Sequence, residues 1–397
     1  MQPTAPAPGL TLLRNADVHA PEPLGKRDVL IGGGRILAVA ADLPTLPSSL
    51  DVNEIDIGGL RLVPGLIDAH VHLTGGGGES GPASRVPPMV LTALTSAGVT
   101  TCVGVLGTDG TTRTIASLVA RTLGLREEVL SAYCYTGSYE LPLRTLTGSV
   151  RGDIVFCDPI LGVGELALSD HRSSQPTLDE LLRVASDAHV AGMMSGKAGI
   201  VHLHIGDGQR GLDLVRRALD QSEIPARTFQ PTHVNRRVGL FEEALALCKR
   251  GCTIDVTAFP PEPDGSFLPG LSAADAIVKF IDAGLPRERL TCSSDGAGCL
   301  PVFDGDGQLI AMDVGRPAAL AHTLAELLAR GRSLADVLPV FTSNVARLLR
   351  LPRKGRIAVG ADADMLTLDE EARVHDVMAG GRYFLRSGVV VVPSRFR

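Results

Sequence analysis

The sequence predicts an α/β protein in which a (β/α)8 TIM-like barrel is inserted into a small β-sandwich domain made from both chain ends. Three observations lead there. Strand-like and helix-like segments alternate through the middle of the chain. Short strand-like runs separated by glycine turns occupy both ends. Histidines and acids recur where apolar runs give way to loops, which is where such a barrel keeps its chemistry.

The elements follow in order. Residues 11–14, 28–31 and 36–39 read as strands, with Gly32-Gly33-Gly34 as a turn. Near the other end, 364–368 and 388–392 read the same way around Gly380-Gly381. Between them, strands are expected at 62–71, 99–106, 131–136, 154–168, 199–205, 228–233, 252–258 and 290–294. Helical periodicity covers 178–191, 211–219, 240–250, 273–284 and 317–329, and a further helix spans 334–349. The sandwich domain is therefore assigned 1–63 and 347–397, and the barrel 64–346.

Composition narrows the function classes. A net charge of −6 with no basic block argues against nucleic acid as a partner. No apolar run reaches the ~18 residues of a membrane span, and the N-terminus lacks a signal-peptide layout. Seven scattered cysteines without a CxxC pair read as reduced thiols, so a cytoplasmic location is expected. Cys248 and Cys252 read as structural.

The most informative motif is His70-Val71-His72 at the end of an apolar run. Alternate strand residues point to one side, so both imidazoles can grip one ion. His204, His233 and Asp295 each close a strand-like run in the same way. Four histidines and an aspartate exceed what one tetrahedral Zn²⁺ with an open position needs. They suit two divalent ions bridged by an anionic oxygen group near strand four. The chain has only five lysines, Lys26, Lys197, Lys249, Lys279 and Lys354, and none ends that strand. Glu165 stands there instead, an acid in an apolar strand that burial would penalise unless it is paired or bound to metal. It is taken as the bridge. His202 shares a face with His204 but sits deeper and reads as structural. His171 stays open, and His19, His189, His322 and His375 read as bystanders.

With these residues assembled, the chain resembles the isoaspartyl (β-aspartyl) dipeptidase family of the amidohydrolase superfamily. The resemblance rests on residues 65–72, Gly75-Gly76-Gly77-Gly78-Glu79, Leu106-Gly107-Thr108-Asp109, Thr136-Gly137-Ser138-Tyr139, Ser169-Asp170-His171-Arg172, residues 231–236 and Ser293-Ser294-Asp295-Gly296. It implies a binuclear zinc peptidase for small dipeptides, assembled as a homo-oligomer, an octamer. It implies His70, His72, His204, His233 and Asp295 as zinc ligands and Glu79 as the partner of the substrate's free α-amine. Tyr139 polarises the scissile carbonyl, Arg172 and Arg236 bind carboxylates, and Gly77 and Thr108 line the pocket. The mechanism implied is attack by a metal-bridging hydroxide, with Asp295 carrying the proton to the leaving amine.

Two departures stand out. The family bridges its metals with a carboxylated lysine, and this chain offers Glu165. A serine of the substrate pocket is Cys299 here, which removes a good hydroxyl donor. They keep two alternatives open: an N-acyl-amino-acid deacylase or cyclic-amide hydrolase of the same superfamily, and a non-catalytic scaffold.

Overall fold

The runs Leu66–Val71 and Ile160–Leu168 have every residue buried, Asp68, His70 and Glu165 included. Burial on both faces is the mark of strands in a covered parallel sheet. The computed structural model describes residues 9–261, 265–267, 269–303 and 309–395. It contains eight parallel strands in chain order, all but the third buried throughout: β1 (Leu66–Val71), β2 (Val99–Gly104), β3 (Ser131–Thr136), β4 (Ile160–Leu168), β5 (Val201–Ile205), β6 (Phe229–Thr232), β7 (Ile254–Thr257) and β8 (Leu290–Ser293). Strands β1 to β6 form one parallel sheet, and β7 and β8 form a parallel pair. Two sets of bonds span the gaps. Thr232 on β6 donates to Asp255 on β7 at 2.7 Å. The His72 amide, just past β1, donates to the Gly296 carbonyl beyond β8 at 2.8 Å.

Helices alternate with the strands as the periodicity requires. The longest, Leu178–Ser195, opens on a capping box in which Thr177 and Glu180 satisfy each other's amides. It ends at Gly196 with φ 72°, a left-handed stop that glycine adopts freely. Three expectations need correction. The strand expected over 62–71 is two, Arg61–Pro64 in the sheet of the chain ends and β1 in the barrel sheet, parted at Gly65. Residues 154–156 belong to the helix Val150–Phe156, capped by Ser149, and β4 begins only at Ile160. A short apolar run fits either structure, and the cap decides it. The helix expected over 334–349 is two, Leu334–Phe341 and Ser343–Leu348. Thr342 between them has a non-helical backbone, and Pro339 removes one amide from the first helix.

The strands of the two chain ends lie in one hydrogen-bonded sheet of nine. The join is Arg61–Pro64 against Met365–Leu368, with Leu62 opposite Thr367 and Pro64 opposite Met365. Beside it, the buried ammonium of Lys354 meets Asp362 at 2.9 Å and also pairs with Asp364 and the Ser131 hydroxyl. Burial alone would lower the Lys354 pKa, but the two carboxylates outweigh it and raise it above the ordinary lysine value. A raised folded-state pKa means this stabilisation is complete below the unfolded value and is lost as pH rises through the folded one. Lys354→Met strands two carboxylates at the join, and a loss of about 3–5 kcal/mol is expected in chemical denaturation. A loss under about 1 kcal/mol would show that water reaches the pair.

Candidate active site

Each candidate metal ligand sits where its strand delivers it. His70 lies in β1 and His72 follows it, His204 lies in β5, His233 directly follows β6, and Asp295 lies just past β8. His233 and Asp295 have φ of 62° and 51°, left-handed turns that take the chain out of its strand. Glu165 depends on an irregularity in β4. Val201 pairs with Val163 but Leu203 pairs with Leu166, so β4 carries one extra residue there. Such a bulge re-aims a side chain.

The Glu165 carboxylate faces histidines on both sides. Its Oε1 is 3.4 Å from Nε2 of both His70 and His72. Its Oε2 is 3.2 Å from His204 Nδ1 and 3.5 Å from His233 Nε2. Asp295 Oδ1 closes the first side, 3.4 Å from His70 Nε2 and 3.1 Å from His72 Nε2. Burial works against both charges. The facing imidazoles nevertheless hold Glu165 well below the usual carboxylate range, and Asp295 low as well.

A cation fits this donor set. Three overlapping groups, His70/His72/Glu165, His70/His233/Asp295 and Glu165/His204/His233, have ligand atoms within 4.8 Å of one another. His70 Nε2 and Asp295 Oδ1 are buried and make no hydrogen bond. Buried polar atoms without partners are rare and mark a place for an ion. Imidazole and carboxylate donors suit Zn, Mn or Co.

The cluster lies at one wall of a cavity of about 830 Å³, which His72, His204 and Asp295 line. The sequence-selected Gly77, Glu79, Thr108, Tyr139, Arg172, Arg236 and Cys299 line the same cavity. Thr108 donates to Glu79 at 3.1 Å, and Arg172 meets Glu79 at 3.3 Å. The Tyr139 hydroxyl is 2.7 Å from His204 Nδ1, and the Arg172 guanidinium lies over the Tyr139 ring at 5.4 Å. Arg236 reaches Asp207 at 3.3 Å and lies over Phe259. Gly77 has φ 72°, and a Cβ there would sit 2.4 Å from the Ser84 carbonyl oxygen, so only glycine fits.

Three further side chains support the site without having been assigned a role in it from the sequence. Asp170 accepts from Arg172 through both oxygens, at 3.0 and 2.7 Å, and its Oδ2 is 3.0 Å from His204 Nε2. It therefore orients a candidate ligand and a candidate carboxylate binder together. Arg113 is buried and donates to the carbonyls of Thr74, Gly76 and Gly77 and to Asp109, which pins the glycine loop that carries Glu79. His202 is buried with Nε2 2.8 Å from His70 Nδ1. Burial, and secondarily the facing His70, push His202 down to about 3, so it is neutral at pH 7. The SDHR segment pointed to the neighbourhood of Asp170; nothing local marks Arg113.

Residues 61–384 match the amidohydrolase family. The chain belongs to the amidohydrolase family. Among solved structures, this amidohydrolase is similar to the beta-aspartyl dipeptidase of Fervidobacterium islandicum AW-1 in complex with a beta-Asp-Leu dipeptide. The identity is 42%, with 98% of this chain and 99% of that one covered, at a TM-score of 0.92. A second structure of the Fervidobacterium enzyme is 41% identical with a TM-score of 0.88, covering 98% and 100% of the two chains. Dihydropyrimidinase from Brevibacillus agri shares the fold, at 18% identity and a TM-score of 0.66 over 96% of each chain. Among curated proteins, adenine deaminase 2 of Rhizobium johnstonii is 25% identical over 92% of this chain, which spans 58% of that protein's length. Among the described residues, no helix of this amidohydrolase is long and apolar enough to cross a membrane.

Proposed function

We propose that this amidohydrolase cleaves the β-linked amide of isoaspartyl dipeptides and works with two divalent cations, zinc by preference. The observation that carries the reading is the contact of Glu79 with Arg172, 3.3 Å apart in the cavity that the His/carboxylate cluster borders. An isoaspartyl residue carries its free ammonium and a free carboxylate on one carbon. A neighbouring acid and guanidinium match that pair of charges. An N-acyl or cyclic-amide substrate has no ammonium and would leave Glu79 unmatched. The similarity to the Fervidobacterium dipeptidase over 98% of the chain supports the same reading.

His70, His72, Asp295 and one Glu165 oxygen would hold one cation, and His204, His233 and the other Glu165 oxygen the second. A bound divalent ion supplies Lewis acidity, polarising the amide carbonyl and making water acidic near neutral pH. The residues do the rest. Glu79 and Arg172 hold the zwitterionic head, and Arg236 takes the remaining carboxylate. The Tyr139 hydroxyl donates to the carbonyl oxygen as negative charge develops on it. Asp295 accepts a proton from the attacking water and returns it to the departing amine as the C–N bond breaks. The seven unpaired cysteines support work in a reducing cytoplasm, and we take the working form to be a homo-oligomer.

A substrate panel tests the reading. With zinc supplied, β-Asp-Leu is cleaved with a kcat/KM about 10²-fold or more above that for N-acetyl-leucine, which lacks the ammonium and forgoes its charge-assisted bond to Glu79. α-Asp-Leu, whose charges are spaced differently, is cleaved slowly or not at all. Equal rates on β-Asp-Leu and N-acetyl-leucine would refute the assignment.

A further inference from the structure

A line of buried polar side chains runs from the cluster into the sheet and has no place in the chemistry above. His70 Nδ1 lies 2.8 Å from His202 Nε2 on β5. His202 Nδ1 lies 2.9 Å from Gln230 Oε1 on β6. Gln230 Nε2 lies 3.3 Å from the Thr291 hydroxyl on β8, and that hydroxyl lies 2.6 Å from Asp255 Oδ1 on β7. His202, Gln230, Thr291 and Asp255 are all fully buried, so water completes none of these bonds. The Tyr135 ring stacks on His202 at 5.2 Å and fixes its plane.

The far end sets the direction of the chain. Asp255 also accepts from the hydroxyls of Ser293 and Thr232, so it is surrounded by donors. Thr291 has one proton. Its contact with Asp255 at 2.6 Å is far shorter than its alternative, the Ile254 carbonyl at 3.4 Å, so the proton goes to Asp255. The Thr291 oxygen is then an acceptor, and Gln230 must turn its NH₂ toward it. The Gln230 carbonyl accordingly faces His202 and accepts from Nδ1–H. A neutral imidazole donates from one nitrogen only, so His202 Nε2 carries a lone pair and accepts from His70 Nδ1–H. The His70 proton is thereby placed on Nδ1, and its lone pair on Nε2, the atom that meets Glu165 and Asp295. The reverse polarity would put the Gln230 carbonyl against the Thr291 oxygen with no proton between them, an unmade buried hydrogen bond.

We infer that His202, Gln230, Thr291 and Asp255 form a positioning relay that fixes the tautomer and orientation of His70 and so tunes one of the two metal positions. The inference rests on the reading of the cluster as a metal centre. Partners that hold the far nitrogen of a metal-binding histidine act in this way.

Zinc affinity of the full-length protein, measured by chelator competition, tests it. In His202→Leu and Gln230→Leu, one zinc equivalent keeps its affinity while the other is held roughly 10- to 100-fold more weakly. His202→Gln, whose amide can still accept from His70, recovers most of the loss. Cobalt-loaded protein shows an altered visible spectrum for one ion in the leucine variants and a near-native one in His202→Gln. Gln230→Leu stands in if His202→Leu does not fold. A residue that only fills space would lower the melting temperature and leave affinity and spectrum alone. Two zinc equivalents held at native affinity in both leucine variants would overturn the relay. Failure of the unaltered protein to bind zinc would overturn the metal-centre reading itself, and the wild-type titration separates the two cases.

Discussion

Glu165→Ala leaves the protein with no more than one firmly held metal equivalent and a kcat lower by about 10³-fold or more. The expectation follows from position. Among the described residues, Glu165 is the one side chain whose two oxygens face different histidine pairs, at 3.4 Å on one side and 3.2 to 3.5 Å on the other. Without it, two sets of imidazoles face a cavity with one carboxylate fewer, and two dications would repel across it. A paired metal site contributes several kcal/mol to stabilising charge in the transition state. At about 1.36 kcal/mol per decade, its loss is thousandfold or greater. Elemental analysis after dialysis and turnover of β-Asp-Leu give the two readouts. Two equivalents with near-native kcat would move the bridge to another group. Glu165→Asp is the graded companion: it keeps the charge but shortens the reach, and it should fall between the two.

Asp295→Asn is expected to lower kcat by about 10²- to 10⁴-fold, the usual worth of a positioned proton carrier, while KM changes little. The amide keeps an oxygen where Asp295 Oδ1 meets His70 and His72, so ligation is weakened less than proton transfer. Substrate contacts through Glu79, Arg172 and Arg236 are untouched. Metal content must be measured alongside, because a drop in kcat that follows lost metal speaks for ligation alone. A variant that keeps both metal and kcat would exclude Asp295 as the group that moves the proton.

How much was legible beforehand differs from residue to residue. His70 and His72 were readable because a strand puts alternate residues on one side, and the surrounding run is wholly buried. Glu165 was readable by an energetic argument, since an acid in an apolar strand demands partners, and the structure surrounds it with four histidines. The bulge that turns it inward was not legible, because it exists only in the pairing of β4 with β5. His202 read as structural, and its partners His70, Gln230 and Tyr135 come from three other strands. Arg113 looks like any helix-proximal arginine until the loop at residues 74–77 folds over it. The end of the helix Val150–Phe156 hid because its apolar residues 154–156 suit either structure.

The amino-acid order by itself determined the kind of fold, the strands that carry the candidate ligands, and the donor chemistry of the candidate site. These depend on periodicity and side-chain type, which a few neighbouring residues encode. Only the tertiary structure decided that Glu165 faces both histidine pairs, that Glu79 and Arg172 lie side by side, and that a buried polar line holds His70 from behind. Those outcomes depend on register and closure between strands far apart in the chain. There, a one-residue slip moves a side chain to the opposite face, and no local pattern records which slip occurs.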